Sequence, residues 1–278
     1  MITPKISIIS VNFNDSIGLS KTIKSLEEQS LNSQDIVEHI IVDGGSTDNS
    51  VDLIKEYSQK RHNYKIKWIS EKDRGIYDGM NKGIQMSKGE YLYFLNGGDV
   101  LNNNKSLSNI LTIIEGSDII VGRVNYVCDG LKVGESYILK EQDFSLYYMY
   151  LNGICHQAAL IKRELLLANP YDISARINAD WKFFVQSIVL NNASVYTTDI
   201  VLADFDRTGL SSRNLDKLLI ERREILESLI PKRISSDYLE ICPYYYEVIR
   251  VSWLLKHPFF YKLYKTVTTF GRKLLGYD

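Results

Sequence analysis

Two carboxylates stand at the ends of segments that begin as strand-like apolar runs, each beside glycines. Asp43 follows such a run in HIIVDGGSTDNS (residues 39–50), and Asp99 follows another in GEYLYFLNGGDV (residues 89–100). In an α/β sheet, ligands bind just beyond the C-terminal ends of the strands, so two such ends predict one pocket with acidic walls. Carboxylate oxygens suit the hydroxyls of a ribose and also hard divalent cations. The pattern therefore predicts a pocket for a nucleotide and a metal ion.

The elements that must position these residues alternate between strand and helix. A continuous apolar run rich in Ile and Val predicts a buried strand at residues 5–13, and further strands are predicted at residues 38–42, 65–70 and 91–95. Helical spacing of apolar residues predicts helices between them: one capped by Ser16, one capped by Thr47 or Asp48, and one at residues 78–86. This β-α alternation predicts an α/β fold whose sheet is mainly parallel, with right-handed crossovers.

The rhythm changes after Asp99. We predict one catalytic domain at residues 1–213, made of a nucleotide-binding half (1–100) and an acceptor half (101–213), followed by a helical C-terminal extension at 214–278. In the second half the patterns predict a helix at 106–115, strands at 118–127, a hairpin around Asp129 and Gly130, a strand running into a helix at 158–167, a helix at 180–190, a strand at 194–200 and an amphipathic helix at 214–229. Residues 144–152 are aromatic and ambiguous.

Composition excludes several classes of protein. The 278 residues carry a formal net charge of −1, so no global field favours nucleic acid. The three cysteines, Cys128, Cys155 and Cys242, are far apart and show no CxxC spacing, which argues against a disulfide scaffold or a zinc site. The N-terminus reads as a strand and not a signal peptide, and no apolar stretch is long enough to span a bilayer. We therefore expect a cytoplasmic protein.

The C-terminal segment, residues 244–278, differs in character from the rest. It interleaves aromatic residues with lysines and arginines and holds only two acidic residues, Glu247 and Asp278. Basic residues among aromatics are typical of a segment that binds a membrane interface. The alternative is a helix that packs its aromatic side on the domain, and charge pattern alone does not separate the two.

Four motifs in order carry a resemblance to a known family. They are SIISVNFN, IIVDGGSTDNS, SEKDRGIYDGMNKGI and GEYLYFLNGGD. In sequence and spacing they resemble the bacterial family 2 glycosyltransferases with the GT-A fold, and most closely the branch that builds surface polysaccharides such as capsule, O-antigen and colanic acid. The resemblance is strong over roughly the first hundred residues and looser to about residue 210. The C-terminal segment is not covered.

The resemblance implies which residues hold a nucleotide-sugar donor. Asp43 would accept hydrogen bonds from the base or the ribose, and Arg74 would pair with the diphosphate, which a guanidinium does in a bidentate manner. Arg207 would lie in a loop (207–212, RTGLSS) that resembles the one closing over the donor diphosphate. The donor-binding set implied in this way is Val11, Asn12, Asp43, Asp73, Arg74, Asn81, Asn96 and Arg207.

The resemblance also implies a divalent cation, Mg²⁺ or Mn²⁺, held at Asp99. The family usually presents two carboxylates in a DxD-type motif, whereas this sequence has Asn96-Gly97-Gly98-Asp99. Only one carboxylate remains, accompanied by the amide of Asn96. Tight binding of the metal is therefore in question, although related branches share an Asn-x-Gly-Asp form.

The acceptor side is implied by NADWKFF at residues 178–184, which resembles the family's acidic motif at the start of a helix. Asp180 would be the base that deprotonates the attacking hydroxyl; the alternative is a helix N-cap. Trp181 would stack on a sugar or fill the core. His156, in the His156-Gln157 pair, would lie near the acceptor or metal, or be purely structural.

As a whole, the resemblance implies an inverting glycosyltransferase. Its donor would be a UDP-sugar, its acceptor a polyprenyl-diphosphate-linked saccharide, and its place the inner face of the plasma membrane. A nucleotidyltransferase is disfavoured because SVNFNDSIG is not a Gly-rich basic loop, and a hydride-transferring Rossmann enzyme because no GxGxxG occurs. The remaining alternative is a catalytically degenerate donor-binding scaffold, which the reduced NGGD motif would favour.

Overall fold

The computed structural model describes residues 4–31, 37–114, 116–128, 130–206, 215–241 and 244–275. Contacts divide the chain into two compact units, Met1–Ile225 and Leu226–Asp278. The first unit carries the sheet and every candidate site residue whose surroundings are described. The second unit is helical.

The first hundred residues confirm the predicted alternation. The strands β1 to β4 lie side by side in the order β3-β2-β1-β4, all parallel, with a helix after each of the first three. Their bounds are β1 Ile6–Asn12, α1 Ser16–Glu27, β2 Val37–Asp43, α2 Ser50–Gln59, β3 Lys65–Ser70, α3 Ile76–Met86 and β4 Tyr91–Phe94. Every residue of β1 and β2 is buried, as expected for central parallel strands covered on both faces.

The register of these strands brings polar residues together at one edge of the sheet. Asn12 pairs with Asp43 at the ends of β1 and β2, and Asp43 pairs with Ser70 at the end of β3. Beneath this edge, α1 and α2 pack a buried cluster that contains Leu19, Ile23, Ile41, Ile54 and Tyr57. The prediction that Ser16 caps α1 is wrong: the side chain of Asp15 accepts the hydrogen bond from Gly18 N–H. A carboxylate one residue earlier reaches the free amide of the first turn.

The second half continues the same sheet with mixed strand directions. Beyond β4 come β8, antiparallel, then β6, β9 and β5, while β7 pairs with β6 as a hairpin. The bounds are β5 Val100–Leu101, α4 Ser106–Leu111, β6 Ile119–Cys128, β7 Leu131–Glu135, α5 Leu146–Leu151, β8 Ala159–Lys162, α6 Arg163–Ala168, α7 Ala179–Phe184 and β9 Val195–Asp206. The ambiguous aromatic segment is helix α5. The helix predicted at 180–190 becomes a π-helical segment after Phe184.

The described residues after β9 form four helices: α8 Leu215–Leu229, α9 Lys232–Ile241, α10 Tyr245–Leu255 and α11 Pro258–Leu275. The division between the two units falls inside α8, so the beginning of this helix belongs to the first unit and lies beyond the boundary predicted at residue 213. Among the described residues, no helix combines the length and the apolar character that crossing a membrane requires.

Candidate active site

Asp43 organises the turn that follows β2. Its side chain is fully buried, and Ser46 donates to it through both its backbone N–H (2.9 Å) and its hydroxyl (2.5 Å). Further hydrogen bonds come from Gly45 N–H, the Ser70 hydroxyl and the Asn12 amide. Burial raises the pKa of Asp43, but the bonds from Ser46, Ser70 and Asn12 outweigh it and hold the pKa below its usual value. Contact between Asp43 and a nucleotide stays a prediction, and it would compete with these donors.

Asn12 and Val11 lie at the end of β1, beside the glycines of two motifs. A Cβ atom on Gly79 would lie 2.7 Å from Val11 Cγ1, and one on Gly97 would lie 3.0 Å from Asn12 Oδ1. That Asn12 oxygen is buried and has no hydrogen-bond partner among the described residues. A buried acceptor without a partner is costly in a protein, so Asn12 Oδ1 is available to a donor group of a ligand.

The segment between β3 and α3 places Asp73 inside and Arg74 outside. A Cβ atom on Gly44 would lie 2.7 Å from Asp73 Oδ2, so Asp73 stands against the turn after β2. The Arg74 side chain is 71% exposed and pairs with Asp78 at 3.1 Å. A surface ion pair of this kind contributes little to stability, so the guanidinium can leave Asp78 for a phosphate. The donor-binding roles of Asp73 and Arg74 stay predictions.

Asn81 fastens α3 to the chain segment that precedes Asp180. Its amide nitrogen donates to the Tyr171 carbonyl at 2.8 Å, and its oxygen accepts from Tyr171 N–H at 3.0 Å. This two-way hydrogen bond to a backbone ninety positions away is a structural role that the sequence did not predict. A contact with the donor sugar stays a prediction.

The Asn96–Asp99 turn is held by α1. The Thr22 hydroxyl lies 2.7 Å from the Asp99 carbonyl oxygen and 3.1 Å from that of Asn96, and it accepts a hydrogen bond from Gly98 N–H. Gly98 has a φ of +100°, a backbone conformation that residues other than glycine rarely adopt. The two side chains at the ends of the turn, Asn96 and Asp99, are both nearly buried.

The groups at this turn fit a hard cation in part. Asp99 Oδ2 accepts a hydrogen bond from Gln157 at 2.8 Å, and burial raises the pKa of Asp99 to about 6. Asn96 Oδ1 is buried without a partner among the described residues. One carboxylate and one amide oxygen can hold Mg²⁺ or Mn²⁺ when phosphate oxygens complete the shell. In the described residues, no three His, Cys, Asp or Glu side chains are arranged to hold a metal by themselves.

Asp180 lies in the first turn of α7 and is joined to the Asn96–Asp99 turn through His156. Asp180 Oδ2 lies 3.0 Å from His156 Nδ1, and His156 Nε2 lies 3.3 Å from the amide nitrogen of Asn96. Asp180 Oδ1 accepts from the Tyr77 hydroxyl and from Trp181 N–H. Burial raises the pKa of Asp180, but the hydrogen bonds and the charge of His156 outweigh it and lower the pKa. The carboxylate is therefore ionised at neutral pH.

Two alternatives left open for α7 are decided by this geometry. The residue that caps the helix is Asn178, so Asp180 is not the N-cap. Trp181 is 3% exposed and donates its indole N–H to the Met149 carbonyl at 2.6 Å. A ring so buried offers no face to a sugar, and Trp181 fills the core. Arg207, with the rest of its loop, lies outside the described residues.

Some contacts at the site were not predicted. Tyr77 stands inside the quoted motif SEKDRGIYDGMNKGI and Gln157 beside His156, so their motifs pointed to them, but nothing indicated that they would touch Asp180 and Asp99. Glu221, which binds the backbone just before α7, had no signal beyond its place on a charged helix. These contacts join segments far apart in the chain.

Comparison with known proteins identifies the family. The family model described as "Glycosyl transferase family 2" matches residues 7–167, more than half of the chain. An uncharacterised glycosyltransferase of Mycobacterium tuberculosis is 30% identical over 246 residues, which cover 85% of this chain and 90% of that protein. A PGL/p-HBAD biosynthesis glycosyltransferase of Mycobacterium bovis is 28% identical, over 80% of this chain and 85% of that protein.

Solved structures share the fold at lower identity. The Staphylococcus aureus TarS fragment 1–349 in complex with UDP-GlcNAc superimposes with a TM-score of 0.61 and 19% identity, covering 86% of this chain and 71% of that chain. The mannosyltransferase PcManGT of Pyrobaculum calidifontis, solved with GDP-Man and Mn²⁺, gives 0.56 and 17% identity, covering 81% and 63%. The predicted GT-A fold is thereby confirmed. The chain belongs to glycosyl transferase family 2 and is a glycosyltransferase.

Proposed function

We propose that this enzyme transfers a sugar with inversion from a UDP-sugar to a polyprenyl-diphosphate-linked saccharide in the synthesis of a cell-surface polysaccharide. One observation carries the proposal: the donor-side turn at Asn96–Asp99 and the acceptor-side carboxylate of Asp180 are joined through His156 by contacts of 3.3 and 3.0 Å. Transfer requires that a leaving diphosphate and an attacking hydroxyl meet at one carbon, and the proximity of these two groups supports such a reaction.

The proposed reaction is a single displacement. The acceptor oxygen attacks C1 of the donor sugar, the bond from C1 to the diphosphate oxygen breaks, and the hydroxyl proton passes to Asp180. Asp180 is suited to this because the hydrogen bonds at its carboxylate keep it ionised and fix its direction. A divalent cation at Asp99 would neutralise charge on the departing diphosphate. Attack from the face opposite the leaving group inverts the configuration at C1.

A nucleoside diphosphate donor is supported by the polar edge of the parallel strands and by the related structures. Asn12 Oδ1 is buried without a protein partner in the described part of the chain, so a hydrogen-bond donor of a ligand would satisfy it. Structures that share the fold were solved with UDP-GlcNAc and with GDP-Man and Mn²⁺. The choice of UDP over GDP or dTDP follows from the family resemblance.

Titration with UDP, GDP, CDP and dTDP, each with and without Mn²⁺, tests the donor class by thermal shift or calorimetry. We expect UDP to stabilise the protein selectively and Mn²⁺ to increase that effect, because a ligand stabilises the state that binds it. Binding of none of the four nucleotides would contradict the proposal. Slow release of UDP from UDP-sugars in water separates an active transferase from a degenerate scaffold, which would bind the donor without hydrolysing it.

The proposed acceptor is membrane-bound, and the second unit has a surface suited to that location. On α11, apolar side chains recur along one face with high exposure: Phe259 is 76% exposed, Leu263 56% and Val267 63%. Lys262 and Lys265 lie on the same helix and are also exposed. An apolar face flanked by lysines fits the interface of an anionic bilayer. We therefore propose that the enzyme works in the cytoplasm at the inner face of the plasma membrane, held there by α11.

Sedimentation with vesicles tests this placement. We expect the protein to bind vesicles of phosphatidylglycerol more than those of phosphatidylcholine. Replacing both Phe259 and Val267 by Ser should reduce binding several-fold, since each substitution removes apolar area that would be buried in the bilayer interface. Leu131→Ser is a matched control, because Leu131 is 72% exposed on the β6–β7 hairpin of the first unit. Equal binding by all variants would exclude α11 as the anchor.

A further inference from the structure

A carboxylate on α8 accepts hydrogen bonds from the backbone directly before α7. Glu221 accepts hydrogen bonds from three consecutive backbone N–H groups: Arg176 at 2.6 Å, and Ile177 and Asn178 at 2.9 Å each. The Asn178 side chain donates to the same carboxylate at 2.9 Å. A charged acceptor that gathers successive amides fixes both the position and the direction of the segment. Asp180 follows two residues later.

The neighbouring Arg222 binds the same segment through the side chain of Asn178. It is 7% exposed, and its guanidinium donates to the Asn178 side-chain oxygen at 3.1 Å and to the Tyr150 carbonyl at 2.9 Å. Its Cζ also lies 5.3 Å from the centre of the Trp181 ring. Because a buried guanidinium must be paired, these contacts tie α8 to α5 and α7 together. Glu221 and Arg222 thus both bind Asn178, the residue directly before α7.

The gripped segment also touches the donor side of the site. The Tyr77 hydroxyl lies 2.6 Å from the Ile177 carbonyl oxygen and 3.0 Å from Asp180 Oδ1. The backbone of Ile177 therefore donates its N–H to Glu221 and offers its carbonyl oxygen to Tyr77. A shift of this residue would move the Tyr77 hydroxyl that contacts Asp180. Glu221 does not touch the carboxylate and can act only through this backbone.

We propose that Glu221 is a positioning residue for Asp180, so that the first turns of α8, beyond the family match at residues 7–167, belong to the catalytic apparatus. The inference rests on the proposed function of Asp180 as the acceptor-side base. It gives α8 a part in the reaction, although the sequence predicted that α8 belongs to a C-terminal extension outside the catalytic domain. An error of about 1 Å in a catalytic group can reduce the rate by about 100-fold, so a small displacement of α7 would be visible in kcat.

The test compares Glu221→Gln with Glu224→Gln, which removes the same charge from an exposed position on the same helix. Glutamine keeps the length of the side chain, but its NH₂ group replaces one of the two carboxylate oxygens. That NH₂ group cannot accept a hydrogen bond from the backbone N–H groups that the oxygen bound. We measure UDP or GDP release from UDP-glucose, UDP-GlcNAc and GDP-mannose, UDP affinity, and hydrogen exchange over residues 176–184. We expect kcat of Glu221→Gln to fall about tenfold or more with UDP affinity unchanged, and Glu224→Gln to match the wild type.

A double variant separates positioning from mere stability. If Glu221 acts through Asp180, adding Glu221→Gln to Asp180→Asn should cause little further loss, whereas independent effects would multiply. Multiplying effects, or an unchanged kcat in Glu221→Gln, would overturn the inference. If Glu221→Gln does not fold, Asn178→Ala removes the side-chain contacts to Glu221, Arg222 and the Leu218 carbonyl and should show the same coupling; the Asn178 side chain makes no capping hydrogen bond in α7.

Failure of the proposed function gives a different result. If the wild-type enzyme neither binds nor hydrolyses any of the donors, the proposed reaction is contradicted. The hydrogen-exchange measurement then decides the role of Glu221. Faster exchange over residues 176–184 in Glu221→Gln alone would support the grip on α7. Unchanged protection there would overturn it.

Discussion

Replacing Asp43 by Asn tests whether this carboxylate builds the turn after β2. In the structure, Oδ2 accepts from Gly45 N–H at 3.2 Å, Ser46 N–H at 2.9 Å and the Ser70 hydroxyl at 2.7 Å. Oδ1 accepts from the Ser46 hydroxyl at 2.5 Å and the Asn12 amide at 3.1 Å. Asparagine has nearly the same shape, so its oxygen can take the place of Oδ2 and its nitrogen that of Oδ1.

The expected loss follows from this contact list. The Asn12 amide can turn over, because its own oxygen has no partner among the described residues, and the Ser46 hydroxyl can accept. The main loss is then that the three hydrogen bonds at Oδ2 have a neutral acceptor in place of a charged one. Each should lose about 1 kcal/mol of stabilisation. The neutral amide recovers part of that by avoiding a buried charge, which leaves a net loss of about 2 kcal/mol. For a domain of this size the melting temperature should fall by about 4–8 °C.

Thermal and urea unfolding measure this loss, with Asp52→Asn as control because Asp52 is 83% exposed and forms a surface ion pair with Lys55. A second readout is pH. The folded pKa of Asp43 lies below its unfolded value, so its contribution is present above about pH 4 and is lost as the pH falls through the folded pKa. The difference between wild type and Asp43→Asn should shrink in that window. A melting temperature equal to that of Asp52→Asn, with weaker UDP binding, would refute the reasoning and assign the carboxylate to the nucleotide.

Three other predictions concern the acceptor side, the metal and the core. Asp180→Asn should lower kcat by about 100-fold or more with UDP affinity nearly unchanged, and normal turnover would remove Asp180 as the base. Asp99→Asn should abolish the increase in UDP affinity that Mn²⁺ gives; an increase retained in calorimetry would strip Asp99 of its metal role. Burial and nearby His62 lower the pKa of His39 to about 3, below its usual 6.5, so its neutral form favours folding and stability should fall as the pH drops below about 6.5. The difference in unfolding free energy between wild type and His39→Gln should change by up to about 1.4 kcal/mol per pH unit between pH 6 and 4, and a constant difference would contradict the shift.

Much of the fold could be read from local patterns. Apolar runs predicted the positions of β1, β2 and β4, because a strand covered on both faces buries most of its side chains. The ends of the strands carried Asp43 and Asp99, and parallel pairing alone was enough to expect them at one edge. Boundaries were less certain where propensity is weak, as in the aromatic segment that forms α5.

The sequence by itself determined the α/β class, the polar edge of the sheet and, through its motifs, the family. Only the tertiary structure decided that His156 joins Asn96 to Asp180, that Trp181 fills the core, and that Glu221 holds the backbone before α7. The physical reason is range. Periodicity and turn chemistry act over a few residues, whereas these contacts join positions separated by 60 and 43 residues for the Asn96–His156 and Asn178–Glu221 pairs. Such pairs exist only after the sheet and helices have packed, so no local pattern encodes them.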